Sequence, residues 1–240
     1  MSRMSWDEAR TRFIQEISKR LDLIRYQAGH DFTAGKTAFS HESGGKFFFA
    51  ADDVKERASL LREFLPDEVA IIRDEADAIC KHHFNLLGYV GLDYGAEIDW
   101  HLDVVHGKHA PLKPWYKINY LDFHEVGDHK VIWELNRQQH LVTLAKAWRL
   151  SGEEQYLTEL VNQWKSWWNR NPYPLGINWA SSLEVAFRSL SWLWVANLLD
   201  EASVPSNFRA DLSRALALNG RHIERYLSAY FSPKIGRAHV

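Results

Sequence analysis

The chain has 240 residues, of which 46% are apolar and 25% charged, enough apolar mass to bury a core as one large domain or two small ones. A formal net charge of −2 offers no electrostatic footprint for nucleic acid, and no apolar run is long enough to span a bilayer. A single cysteine, Cys80, excludes an intrachain disulfide framework.

Trp6 to Tyr26 has helical spacing, with Phe13, Ile17, Leu21 and Ile24 recurring at three and four residues and acidic residues in the first turn. Asp7, Glu8 and Glu16 interrupt the apolar positions, so Met1 to Arg25 lacks the continuous apolar core of a secretory signal. Gly29 to Gly45 breaks the pattern and reads as a loop, after which Phe47-Phe48-Phe49 can re-enter the core as a short extended piece. Asp52 or Asp53 is a candidate N-cap for a helix over Val54 to Phe64, and Pro66 suits the first turn of the next helix, which runs to about His83 and includes Cys80 as a buried structural thiol. Between Asn85 and Gly127, glycines and prolines remove any period while Trp, Tyr, His and Asp accumulate. This reads as a long structured loop and a candidate ligand surface.

Strong helical patterns follow over Asp128 to Leu150, Glu153 to Asn169, Asn178 to Leu199 and Ser206 to Phe231. Ser151-Gly152 closes the first of these and Asn171-Pro172 the second. Long helices with short turns and no convincing strand alternation predict an all-α fold of consecutive hairpins, curled into a bundle or an incomplete (α/α) toroid. No linker divides the chain, so residues 1–233 read as a single domain.

Two of these helices carry polar residues where a core helix should be apolar. On the first, Trp133, Asn136, Arg137, His140 and Leu144 share a face by the three/four rule. On the second, Ser181, Glu184, Arg188 and Ser191 form a narrow stripe on a helix otherwise apolar nearly all round, and Glu184 and Arg188, four apart, are expected to pair. Asn178-Trp179 just before this stripe supplies an amide and an aromatic platform of the kind sugar sites use. The bland alternative makes these residues local ion pairs and core tryptophans. In the long loop, Asp99-Trp100-His101-Leu102-Asp103 with His106 and His109 completes no zinc signature. In His124-Glu125-Val126-Gly127-Asp128-His129 the second histidine is five residues on and a glycine intervenes, so the two rings would not share a helix face. No metal or cofactor is expected.

These residues also carry a family resemblance. Asp99-Trp100-His101-x-Asp103, Gly107-Lys108, Pro111, Asp128-x-Lys130-x-x-Trp133-Glu134-x-Asn136-Arg137 and His140-Leu141 are followed in order by Asn178-Trp179-x-Ser181-Ser182-x-Glu184-x-Ala186-x-Arg188 and Trp192. Across roughly Asn85 to Pro233 this set resembles the helical N-terminal domain of the heparinase II/III family of polysaccharide lyases. The resemblance implies an incomplete toroid followed by a C-terminal β-sandwich, and an acidic, uronate-containing polysaccharide as substrate, heparan- or alginate-like. It further implies β-elimination, in which an Asn or His just after the last helix neutralises the uronate carboxylate and a downstream Tyr and His move the protons. Those groups fall beyond this sequence. The expected catalytic set is therefore absent, the expected substrate-binding set is Trp100, His101, Asp103, Asn136, Arg137, His140, Asn178, Trp179, Glu184 and Arg188, and the expected partner besides the polysaccharide is the chain's own C-terminal domain. Neither nucleic acid nor membrane is an expected partner. The compartment is left open: no signal is visible, whereas family members are often periplasmic.

Residues 235–240, Ile-Gly-Arg-Ala-His-Val, match the translation of a common sequencing adapter, so 234–240 is expected to be a non-native tail. Two other readings remain: an α/α-barrel glycoside hydrolase, for which Glu184 and Asp103 are the available carboxylates, and a non-catalytic carbohydrate-binding helical domain.

Overall fold

The computed structural model describes residues 5–34, 53–199 and 204–227. Helices take up 66% of the described residues, as the hairpin pattern predicts. They are α1 (Trp6–Gln27), α2 (Asp53–Phe64), α3 (Pro66–Ile79), the short α4 (Phe123–Val126), α5 (His129–Asn136), α6 (Gln139–Ser151), α7 (Glu154–Arg170), α8 (Ser182–Leu198) and α9 (Ser206–Arg225). Local chemistry sets many of the ends. Ser5 caps α1 by accepting from the Glu8 N–H, Pro66 occupies the first turn of α3, Asp128 caps α5 through Lys130, and Gly152, at φ 75°, closes α6 in the left-handed region.

The hairpin of α6 and α7 turns in the two residues Gly152-Glu153, and α8 packs against α9. Helix α6 also packs on α3 and α8, so α3, α6 and α8 form the inner wall of an arc, with α7 and α9 behind it. This is the all-α incomplete toroid. Its main core gathers the buried rings of Trp164, Trp167, Trp179 and Trp192 with Phe208, so the tryptophan richness is first of all a packing fact. Cys80 caps α3, and burial pushes its thiol up to about 11, which suits a structural rather than a reactive cysteine.

Three expectations need correction. The segment 85–127 is mainly irregular, but it holds strands where the sequence showed no convincing alternation: β1 (His83–Leu86) and β2 (Tyr89–Asp93) form an antiparallel hairpin across Leu87-Gly88, both at positive φ, and β3 (Leu102–Asp103) pairs with β4 (Lys108–His109). The two-residue turn belongs to the tight hairpin class, but Leu at its first position hides the usual Asn-Gly signal. The α3 helix accordingly stops at Ile79, and His83 already belongs to β1. Asp128 to Leu150 is not one helix, because Gln138 sits in the left-handed region at φ 54° and divides α5 from α6. Its side chain accounts for the break: Gln138 is fully buried, and its Oε1 accepts from the Trp192 indole N–H on α8. The expected loop after residue 34, the Phe47-Phe48-Phe49 segment and the tail 234–240 lie outside the described residues.

Candidate functional site

The two polar stripes meet. Arg137, at the end of α5, donates from Nε and Nη2 to both oxygens of Glu184 in the first turn of α8, at 2.7 and 3.1 Å, and from Nη1 to Glu134 at 2.6 Å. This fork-on-carboxylate geometry fixes the guanidinium in place. The Glu184–Arg188 pair expected from their spacing does not form. Glu184 turns to Arg137 because the break at Gln138 brings that guanidinium across to α8, while Arg188 points inward. There it lies over the rings of Trp167, Trp179 and Trp192, at 4.3, 5.1 and 5.7 Å from their centroids, and donates from Nη1 to the Asn178 carbonyl at 3.2 Å. Burial pulls its guanidinium down to about 9, so it stays charged at neutral pH without a carboxylate in its hydrogen-bonding shell.

Behind the pair stands an amide scaffold. The Trp100 carbonyl accepts from the Nδ2 of both Asn136 (2.9 Å) and Asn178 (3.2 Å). Asn136 also donates to the Ile132 carbonyl and accepts from the Trp167 indole at 2.6 Å, and Asn178 donates to the Asn171 side chain. Trp100 itself hydrogen-bonds Ser166 through Nε1 and stacks on His140. One carbonyl thus ties the long loop to α5 and to the 3-10 turn Ile177–Trp179 that precedes α8.

Asp103 anchors the same loop lower down. Its buried carboxylate accepts from the backbone N–H groups of Val105, His106 and Asp128 and from His106 Nδ1 at 2.8 Å. Gly127 must be glycine beside it: its φ is 77°, and a Cβ there would stand 2.6 Å from Asp103 Oδ2. His101 bonds the Arg170 carbonyl through Nε2, and burial lowers its pKa.

Of the ten residues expected to bind substrate, nine are buried: Trp100, His101, Asp103, Asn136, His140, Asn178, Trp179, Glu184 and Arg188. Only Arg137, with 25% of its side chain accessible, opens to solvent. Trp179 is not an open platform for a sugar ring, because it is packed against Tyr173 and Arg188. Sequence reasoning missed the hinge Gln138 and the scaffold partner Trp167, whose roles depend on residues distant in sequence. Glu134 lay in the resemblance but was not singled out, although it completes the ion triad.

Beside the triad is a concavity of about 740 Å³ on the inner wall, between α3, β1, α6 and α8. Glu134, His140, Phe187, Leu190 and Trp194 line it, with Asp74, Glu75 and Lys146 among its charges. Aromatic faces with carboxylates suit sugar hydroxyls, which the carboxylates can accept from.

Burial pulls both His140 and His222 down to about 3, from the ordinary 6.5. Between about pH 6.5 and 3 the unfolded chain would protonate these imidazoles while the folded chain keeps them neutral. Their contribution to stability is therefore complete above 6.5 and is lost as the pH falls towards 3. Urea unfolding at pH 7, 6 and 5 should show stability falling by up to about 2.7 kcal/mol per pH unit for the two groups together. His222→Gln should roughly halve that slope, and an unchanged slope would show that His222 is not held neutral.

The family model described as the heparinase II/III N-terminus matches residues 63–234. A heparin-sulfate lyase of Bacteroides stercoris is 28% identical over 152 residues, covering 61% of this chain and 18% of that protein. A heparin-sulfate lyase of Pedobacter heparinus is 28% identical over 106 residues, covering 44% and 13%. The chain thus matches less than a fifth of the length of these curated relatives. The crystal structure of a heparan sulfate lyase HepC mutant from Pedobacter heparinus superposes with a TM-score of 0.51 over 91% of this chain and 27% of that one, and at 19% identity this speaks to the fold. The family model covers most of the chain, including the ion triad and its amide scaffold, and the chain therefore belongs to the heparinase II/III family, as part of its N-terminal helical region.

Proposed function

We propose that this chain forms the substrate-binding helical wall of a polysaccharide lyase that cleaves uronic-acid-containing polysaccharide by β-elimination. The observation that carries the reading is Arg137, its side chain 25% accessible and held by Glu184 and by Glu134, which lines the inner concavity, with guanidinium N–H groups left over for an acidic sugar. Family membership and the heparin-sulfate lyase relatives support a lyase. In this reading Arg137 and the exposed edge of Glu134 touch substrate, while Asn136, Asn178, Trp100, Trp179, Asp103, His101, His140 and Arg188 hold that edge in position.

The elimination needs a group to neutralise the uronate carboxylate, a base for the C5 proton and an acid for the leaving oxygen. His101 is buried outside the concavity, His140 lines it but is pulled down to about 3 by burial and so is a poor base, and Arg137 cannot accept a proton at neutral pH. The proton-moving groups therefore belong to a C-terminal part of the full-length protein, the proposed partner of this wall. The glycoside hydrolase reading loses its two nominated carboxylates, since Asp103 is consumed by backbone N–H groups and Glu184 by Arg137.

Incubated with heparan sulfate, the 240-residue chain should release no ultraviolet-absorbing unsaturated product, and a chain extended with its native downstream sequence should release it. Arg137→Ala should weaken oligosaccharide binding by the 240-residue chain roughly tenfold or more, the worth of a charged hydrogen bond. Unsaturated product from the 240-residue chain would refute this placement of the chemistry. Reducing ends without unsaturation would favour a hydrolase, and binding without cleavage by the extended chain would favour a non-catalytic module.

A further inference from the structure

Helix α6 is the floor of a groove that outruns the concavity. Lys146 lines the concavity and also the next hollow along α6, an apolar recess of about 260 Å³ walled by Val54, Leu61, Ile72 and Leu198. Ala58 and Arg149 are shared in turn between that recess and a third hollow of about 380 Å³, where α2 meets the end of α6 beside Trp148 and Gly152. The three hollows therefore adjoin, in the order in which α6 runs from His140 to its cap at Gly152. The lining changes character along this path. The concavity holds Asp74, Glu75 and Glu134 beside Lys146, whereas the two further recesses carry Lys55, Arg57, Arg62, Lys146 and Arg149 against the single carboxylate of Glu154. Glu154 stands in the first turn of α7, where the helix dipole favours it. The net charge of the whole chain is −2, so this excess of cations is local.

Elsewhere in the chain arginines are matched to carboxylates: Arg73 to Glu153, Arg137 to Glu134 and Glu184, Arg170 to Glu97 and Arg225 to Asp22. Here they are not. Among the described residues Lys55, Arg62 and Lys146 have no carboxylate partner, and Arg57 reaches Asp53 only at 4.0 Å. Arg62 is nonetheless held in place, donating from Nη1 to the Leu150 carbonyl and from Nη2 to Ser59 Oγ, at 3.0 Å each. These uncharged acceptors aim the guanidinium without neutralising it, which leaves its charge for a sulfate or carboxylate. We propose that the two recesses form a cationic track that binds the stretch of an acidic polysaccharide running on from the concavity. The proposal rests on the reading of the concavity as the seat of an acidic sugar. Continuity through Lys146 selects the occupant: a strand held beside Arg137 has only to follow α6 to reach Arg62. Two linked sites on one polymer bind it more tightly than either alone, so the track rewards long chains over short ones.

Calorimetric titration of the 240-residue chain with a heparan sulfate tetrasaccharide and with a fragment of about twenty sugars tests this. Lys55→Gln with Arg62→Gln should weaken binding of the long fragment roughly three- to tenfold, the worth of two exposed charge contacts, and leave the tetrasaccharide within about twofold. Lys55→Gln with Arg57→Gln keeps the Arg62 bonds to Leu150 and Ser59 intact and should act in the same direction, so the test survives if the first pair disturbs α2. The advantage of the long fragment should shrink in about 0.5 M salt, where exposed charges are screened. The proposal is overturned if neither pair moves the long-fragment affinity, or if both fragments lose equally. It is overturned too if duplex DNA of equal charge binds the track as tightly as the long fragment, which would make it a general polyanion surface. Arg137→Ala tells the two readings apart. It should weaken both fragments; if it weakens neither while the Lys55 variants still lower the long-fragment affinity, the reading of the concavity fails and the track stands.

Discussion

Asn136→Ala should cost about 2–5 kcal/mol of stability, read as a shift in the denaturant midpoint, because it strands the buried Trp167 indole, at about 1–3 kcal/mol, and takes one hydrogen bond from each of two carbonyls, of which that of Trp100 keeps its bond from Asn178. The Trp100 and Ile132 carbonyls would lose a donor and the Trp167 indole its acceptor, all where water does not reach. Asn136→Asp should be no milder, since it keeps an acceptor for Trp167, removes both donated bonds and places a carboxylate against two carbonyl oxygens. The exposed Asn169→Ala is the control and should stay within about 0.5 kcal/mol of the parent. If Asn136→Ala stayed as close, the amide would not be the joint between the loop and the helices.

Replacing Arg188 separates volume from charge. Arg188→Ala should cost about 3–5 kcal/mol, the range of large-to-small changes in a close-packed core, because it empties the space between three indole rings. Arg188→Met fills much of that space and removes a buried charge that has no carboxylate in its hydrogen-bonding shell, so it should stay within about 1.5 kcal/mol of the parent despite losing the bond to the Asn178 carbonyl. Thermal unfolding of the two variants at pH 7 decides the matter. Equal losses would show that the cation over the indoles, rather than the filled volume, holds α8 to the core. Neither result depends on catalysis, and both report on the wall that Arg137 stands on.

Much of the site's composition was legible in the residues. Two polar stripes on apolar helices pointed to Asn136, Arg137, Asn178, Glu184 and Arg188 as belonging together, and the structure joins them through the Trp100 carbonyl and the Arg137–Glu184 fork. Their partnerships were not legible. Spacing of four proposes Glu184–Arg188, but a salt bridge between helix neighbours is worth only about 0.3–0.5 kcal/mol, so any tertiary partner with better geometry displaces it. The same reasoning explains the buried tryptophans: an indole beside an amide looks alike in sequence whether it faces a sugar or the core.

Helix existence, the proline start of α3 and the glycine stop of α6 all follow from interactions within one or two turns, and so the linear order of residues settles them. Which face of each helix turns inward is a different matter, because it depends on bonds between residues far apart in the chain. The Gln138 break answers to Trp192, 54 positions away, and the rotation of α1 answers to Tyr173 and Arg225, 151 and 203 positions from Asp22. A buried hydrogen bond to a charged group is worth about 1.5–3 kcal/mol, and the cluster of them around Asp22 fixes which face of α1 meets the domain. Periodicity measures only the amphipathic preference of a single helix, so it marked the apolar face of α1 correctly, and only the folded arrangement could say that this face looks outward.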